Sequence, residues 1–435
     1  MNELVKQSVA IAFIGYSKSG KSTICGHFLY QMGDLDEKQL EKYELLANQI
    51  NQGSSKYAWH FDKLKLERER GHSVNWNVRH YQNDNIELNL LDTPGRRHYI
   101  KNRLTALSQA DVAVLVVDPL GYKDHLTEGT LAEHLLICRA FGIEQIIVLV
   151  NKMDDEDVQY SETIFCETKT DLIKLLKQAK YNPKKVSIIP TSGWEGENLV
   201  AKTKKMGWWK GQTLNEKLSS LRIKRKMDLP LRIPILDVYR ISGVGSVAVG
   251  KIATGQVSEG QQIAIAPIGV VPNIKTIERY YKNYKNGECG SLIGINIKGV
   301  GLKLAKKGLM IGDPKNDPPC QITQFTAQIT LVNLQMRKKV GYCPVIDCHT
   351  SHIPCKLFRI VSKIDPKTKE VIEKSPKYLV NQDTVVVIFK PIVPMSAETF
   401  YKYPKLGRIL VRNNNIIEAT GFIISTIKKD SDSQN

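Results

Sequence analysis

Over residues 1 to about 200 the chain alternates short apolar runs with stretches of helical spacing. The apolar runs are 8–15, 86–92, 111–118, 145–151 and 186–192. Each is nearly continuous in Val, Ile and Leu, the composition of strands buried on both faces. Between two of them, Thr130 to Phe141 has the spacing of a helix closed by Gly142. This alternation predicts an α/β domain, a mostly parallel sheet with flanking helices. The segment from Gln31 to Arg70 is polar and helical in pattern, and longer than a plain connection needs.

The pattern then changes. Residues 200–228 are rich in Lys and Arg and precede Pro230 and Pro234, which predicts a helix followed by a linker. From Leu231 onward short β-type segments, such as SVAVGKIATG, FTAQITLV and TVVVIFK, are separated by Gly, Asp, Asn and Pro. That spacing predicts one or two all-β barrels, with a natural cut at the turn-rich stretch GDPKNDPPC. The expected division is an α/β domain over 1–225, barrels over 226–318 and 319–430, and a disordered tail over 431–435. There is no internal repeat.

Composition narrows the setting. Hydrophobic residues make up 42% and charged residues 24%, as in globular proteins. No apolar run reaches the roughly 20 residues of a membrane-spanning helix, so no membrane partner is expected. The N-terminal apolar stretch follows the acidic Glu3 and reads as a buried strand rather than a leader. Eight cysteines without CxxC pairs suggest reduced thiols and a cytoplasmic protein. A net charge of +18 points to an acidic polyelectrolyte partner: RNA, the ribosome or an acidic filament.

Four motifs carry chemistry. The run Gly15-Tyr16-Ser17-Lys18-Ser19-Gly20-Lys21-Ser22, followed by Thr23, fits G-x-x-x-x-G-K-[ST] between a buried strand and a helix. Its glycines let backbone N–H groups wrap a phosphate, Lys21 supplies charge and Ser22 a hydroxyl for Mg²⁺. Asp92-Thr93-Pro94-Gly95 ends a strand, placing a carboxylate for the metal and a glycine N–H for a γ-phosphate. In Asn151-Lys152-Met153-Asp154 the carboxylate of Asp154 matches the paired N1–H and N2–H₂ donors of guanine. Asn151 would brace the loop and Lys152 lie along the base. Ser192-Gly193-Trp194 ends the last strand, where backbone N–H groups would meet guanine O6.

With these motifs in order, the chain resembles the translation factor GTPases, of the eukaryotic elongation factor 1-alpha type. The resemblance covers nearly the whole chain, through KYAWHFDKLKLERERG, IKNRLTALSQADVAVLVVD, YNPKKVSIIPTSGWEGEN, LPLRIPILDVYRISGVGSVAVGKIATG and GYCPVIDCHTSHIPCK. It implies a GTP/GDP and Mg²⁺ domain with two β-barrels, delivery of aminoacyl-tRNA to the ribosome, and a guanine nucleotide exchange factor. It also makes 31–70 part of a first switch, and places Ser73 where the family has a Mg²⁺-binding threonine.

The chain departs from the family around the chemistry. Arg96 stands where the family has the histidine that positions the attacking water. Arginine has donors only, so it cannot accept from water. Ser17 and His72 replace two apolar residues that hold that histidine back, and Lys18 replaces an acid. Gly95 and Arg96 are thus the catalytic candidates, with weakened hydrolysis expected; an arginine finger in cis, or His72 or His98 in the histidine's role, are the rivals. Ala253, and the stretch Arg412 to Ile417, replace residues the family places near tRNA. A second reading is a divergent paralogue with little GTPase activity, a GTP-binding structural module meeting actin or tubulin. Cys343, Cys348, His349, His352 and Cys355 fit no zinc spacing and read as barrel core on one strand. Trp208 and Trp209 read as packing for the linker helix.

Overall fold

The computed structural model describes residues 7–82, 86–280, 282–297 and 305–429, so the expected tail at 431–435 lies outside them. The chain forms two compact units: one to Ile223, apart from Ala140–Gly142, and one from Lys224 with those three residues.

In the first unit the order is β1 (Gln7–Ile14), α1 (Lys21–Gln31), α2 (Glu37–Gln49), α3 (Lys65–Arg70), β2 (Asn77–Gln82), β3 (Ile86–Asp92), α4 (Ile100–Leu107), β4 (Val112–Val117), α5 (Tyr122–Thr127), α6 (Thr130–Ala140), β5 (Gln145–Val150), α7 (Glu162–Gln178), β6 (Ser187–Pro190) and α8 (Leu214–Ser219). The strands form one sheet in the order β2-β3-β1-β4-β5-β6. All neighbours are parallel except β2 against β3. β3 and β4 are buried at every position, which is why their sequences do not alternate. Ile11, Phe13, Phe28, Leu90, Val114 and Leu149 form the core between sheet and helices. The segment after α1 is mostly helical, as its pattern predicts: α2 is capped by Asp36, whose carboxylate accepts from Gln39 N–H at 2.7 Å.

In the second unit β7 (Arg232–Ile241), β8 (Gly245–Lys251), β9 (Gln256–Ser258), β10 (Ala264–Ala266), β11 (Ile274–Arg279), β12 (Lys282–Tyr284), β13 (Asn286–Glu288), β14 (Leu292–Ile297) and β15 (Met310–Gly312) come first. They wrap antiparallel around Ile233, Ile235, Ile265, Ile277 and Ile295. Then follow β16 (Ile322–Leu331), β17 (Val345–Cys348), β18 (Ser351–Ile364), β19 (Val371–Lys374), β20 (Thr384–Pro391), β21 (Arg408–Asn413) and β22 (Ile416–Lys428). Their order β17-β21-β22-β16-β20-β18 closes through β17–β18 into a six-stranded barrel, with β19 added at the side. Closure leaves those six strands without an open edge.

One expectation is corrected here. Cys348, His349 and His352 do not share a strand: the chain reverses at His349 (φ +44°) and Thr350, between β17 and β18. His–Thr is not a typical turn pair, and the reversal is held because the His349 ring itself accepts from Thr350 N–H at 2.8 Å. The thiols of Cys348 and Cys355 are buried core, and His352 Nδ1 bonds Asp347 Oδ1 at 2.6 Å. None of the eight cysteines is in a disulfide. No helix among the described residues is long and apolar enough to cross a membrane.

Candidate nucleotide site

Gly15 to Ser22 turn β1 into α1. A side chain at Gly15 (φ +141°) would press on the Val116 carbonyl at 2.3 Å, and one at Gly20 (φ +96°) on Asn151 Nδ2 at 2.1 Å. Glycine is required at both for steric and conformational reasons. No side chain caps α1, so its first N–H groups stay open to an anion. Lys21 is buried, its Nζ donating to Tyr16 O at 2.7 Å, and burial pushes its pKa down to about 8. A phosphate beside it would supply the missing counter-charge. Ser19 Oγ is buried without a partner among the described residues. Lys18 (φ +66°) is exposed at the mouth.

A cleft of about 550 Å³ opens here, lined by Lys18, Lys21, Ser22, Thr23, Gly95 and Asp154, among others. On its metal side Ser22 Oγ donates to Asp92 Oδ2 at 2.6 Å and lies 3.2 Å from Ser73 Oγ. Ser73 Oγ donates to Asp62 Oδ1 at 2.8 Å. Burial, with the charge of Asp92, pushes the Asp62 carboxyl up to about 7, and burial pushes Asp92 up to about 6. Asp92 Oδ1 has no partner among the described residues. Two hydroxyls and two crowded carboxylates, one oxygen unsatisfied, fit a hard divalent cation.

At the other end Asn151 Nδ2 donates to Ser19 O at 2.9 Å, and its Oδ1 accepts from Gly193 N–H at 2.7 Å. Lys152 (φ +60°) sits 3.6 Å from Asp118 and lines the cleft. Asp154 Oδ1 is buried and unpartnered among the described residues, as a carboxylate awaiting two donors would be. Trp194 lines the cleft edge-on to Tyr57, with ring centroids 5.9 Å apart. Ser192 N–H donates to Glu197 O at 3.2 Å and Gly193 N–H to Asn151 Oδ1.

Gly95 approaches Tyr16 and Ser17 so closely that a Cβ would lie 2.6 Å from Ser17 N. Arg96 is exposed and is not among the residues lining the cleft. Its backbone is held from behind by Arg103, a fully buried side chain that donates to the carbonyls of Pro94, Gly95 and Arg96 at 3.2, 3.3 and 3.0 Å.

Sequence reasoning missed Asp62, Glu67 and Arg103. Glu67 is fully buried and accepts from Val74 and Asn75 N–H at 2.9 and 3.0 Å, which folds the Ser73 loop back toward the phosphate loop. In DKLKLERERG such acids look like a solvated charged face. The signal present in the sequence was Gly71 closing α3, which turns the chain back over its own first residues.

Comparison with known proteins agrees with this geometry. The family model described as the elongation factor Tu GTP binding domain matches residues 6–238, and one for the eEF1A C-terminal domain matches 324–424. Elongation factor 1-alpha of Plasmodium falciparum is 41% identical over 98% of this chain and 96% of that protein. The Euglena gracilis protein of the same name is 38% identical over 98% of this chain and 96% of its own length. Among solved structures, the S. cerevisiae Ski7 GTPase-like domain superposes with a TM-score of 0.79 over 96% of this chain and 97% of that one, at 18% identity. SelB from Methanococcus maripaludis gives 0.68 over 97% and 79%, also at 18%. At such identities these two attest the fold alone. The chain belongs to the elongation factor Tu/elongation factor 1-alpha family of translational GTPases.

Proposed function

We propose that the chain binds GTP with Mg²⁺ and, in that state, carries aminoacyl-tRNA to the ribosome. The observation that carries the nucleotide part is the unpartnered Asp154 oxygen at one end of the cleft, with Lys21 and the open start of α1 at the other. Gly15, Lys18 to Thr23, Asn151, Lys152, Asp154 and Ser192 to Trp194 would form the nucleotide site. Ser22, Ser73, Asp92 and Asp62 would hold Mg²⁺, which neutralises phosphate charge. The family relationship and the +18 charge support a tRNA partner on the ribosome. The organisation is a nucleotide domain over 1–225 and barrels over 226–318 and 319–430, with an exchange factor to release GDP.

A filter-binding assay with charged tRNA tests this reading. GTP-dependent retention, lost with GDP, is expected; equal or absent retention in both states would set it aside. The exposure of Arg96 outside the cleft, for weak hydrolysis, and the +18 charge, for acidic filaments, support one second reading, a GTP-binding structural module with little GTPase activity. Co-sedimentation with actin or tubulin, without tRNA retention, would select it.

A further inference from the structure

A side-chain hydrogen-bond acceptor can place the attacking water for GTP hydrolysis, and Arg96 offers none. The residue order around the metal-side cluster provides another. His72 lines the cleft immediately before Ser73. Its Nδ1 lies 3.0 Å from the Arg70 carbonyl. A carbonyl only accepts, so a hydrogen is on Nδ1, and in the neutral ring the lone pair is then on Nε2. That Nε2 is buried and has no partner among the described residues.

The ring is held in place. His72 N–H donates to Glu67 O at 3.3 Å, and Glu67 at the same time anchors the backbone of Val74 and Asn75. The imidazole stacks beside Tyr99, centroids 6.3 Å apart, so it lies between the Ser73 loop and the segment that follows Gly95. Those two segments are the ones assigned to the metal and the γ-phosphate. Gln52 Oε1 is also buried and unpartnered in the cleft lining. Its amide nitrogen, however, is tied to Glu69 O at 2.9 Å, and it lies against Gly71 rather than beside Ser73 and Tyr99.

Resting on the GTP-binding reading above, we infer that His72 Nε2 accepts a hydrogen bond from the attacking water and orients it for GTP hydrolysis. The water oxygen forms a bond to the γ-phosphorus while the bond from that phosphorus to the β–γ bridging oxygen breaks, its electron pair leaving on GDP. One water proton passes to a γ-phosphate oxygen. The other stays on the attacking oxygen, directed at His72, and phosphate departs as dihydrogen phosphate. No proton passes to His72; its contribution is placement, of the kind worth about 10²-fold in rate.

The test uses the full chain. Binding of a fluorescent GTP analogue and single-turnover hydrolysis of labelled GTP, with and without ribosomes, are measured for wild type, His72→Ala, His72→Gln and Gln52→Ala. His72→Ala is expected to bind within about twofold of wild type and to hydrolyse about 10²-fold more slowly. His72→Gln, which keeps an acceptor at similar reach, recovers much of the rate. Imidazole ¹⁵N shifts of the nucleotide-free chain report the Nδ1–H tautomer without any turnover. Together with His72→Gln they decide the matter if the alanine variant melts early. Wild-type speed in His72→Ala, an Nε2–H tautomer, or a loss confined to Gln52→Ala overturns the inference. So does a wild type that binds GTP and never hydrolyses it. A wild type that does not bind GTP fails the nucleotide reading instead, and this one with it.

Discussion

Asn151 grips the phosphate loop at Ser19, its amide nitrogen donating to the Ser19 carbonyl at 2.9 Å. The same side chain accepts from Gly193 N–H at 2.7 Å, so one buried residue ties the phosphate end of the cleft to the loop that follows β6. Asn151→Ala strands a buried carbonyl and a buried N–H, at a cost of about 2–4 kcal/mol in total. A fluorescent GTP titration is expected to show affinity lowered by about 30-fold or more. Unchanged affinity would mean that the two loops keep their places without Asn151.

Arg103 and Glu133 form a second brace, beneath the segment after β3. Arg103 Nη1 lies 3.5 Å from Glu133 Oε1, and Arg97 reaches the same carboxylate at 2.9 Å. Burial lowers the Arg103 pKa to about 10, with Glu133 opposing the shift, so the guanidinium remains charged. Arg103→Ala leaves three loop carbonyls without their donor and removes one of the two guanidinium groups beside Glu133. A loss of about 3–5 kcal/mol in urea unfolding is expected. A loss below about 1 kcal/mol would be that of a surface pair.

His349 sets a pH limit on the closed barrel. It is fully buried, its Nε2 faces Ser396 O at 3.3 Å, and burial holds its pKa down at about 4. The folded value lies below the unfolded one. Its contribution is therefore complete above about 6.5 and is lost as pH falls toward 4. Between pH 7 and pH 5 the barrel should lose roughly 2 kcal/mol through this group. His349→Gln should lose correspondingly less over the same interval, read by urea midpoints at each pH.

Asp62 and Asp92 act in the opposite sense. Their carboxyls are raised to about 7 and about 6. Without a cation, the stability tied to these two groups is fully present below about pH 4 and is lost progressively as pH rises to 6 and 7. A divalent cation needs them ionised. Mg²⁺ binding to the nucleotide-loaded chain should therefore tighten from pH 6 to pH 8 and release about one proton near pH 6.5. Calorimetry in buffers of different ionisation enthalpy measures that proton; Asp62→Asn should reduce it.

The nucleotide motifs were legible because each is local. Gly15 to Ser22 and Asn151 to Asp154 need only their own spacing and the strands before them, and those strands are continuous apolar runs. Barrel strands were legible as a class, while the closure through β17–β18 was not, since pairing depends on residues far apart in sequence. The His349 reversal was misread because its turn is held by a side-chain bond, not by Gly or Asn. Asp62, Glu67 and Arg103 were hidden for one reason: a charged residue in a polar stretch looks solvated until the tertiary partner that buries it is known. Arg96 shows the converse. Its position in the motif pointed at the cleft, and the structure leaves its side chain outside the lining.

Selection of guanine nucleotide through Asp154 is the property on which the proposed function stands. Equilibrium titration of the full chain with labelled GTP and ATP, for wild type and Asp154→Asn, measures it. Tight GTP binding is expected, with ATP weaker by about 10³-fold or more. Asp154→Asn should lose GTP and gain xanthosine triphosphate, whose carbonyl replaces the amine that the carboxylate reads. Equal affinity for ATP and GTP, or GTP binding indifferent to Asp154→Asn, would refute that selection.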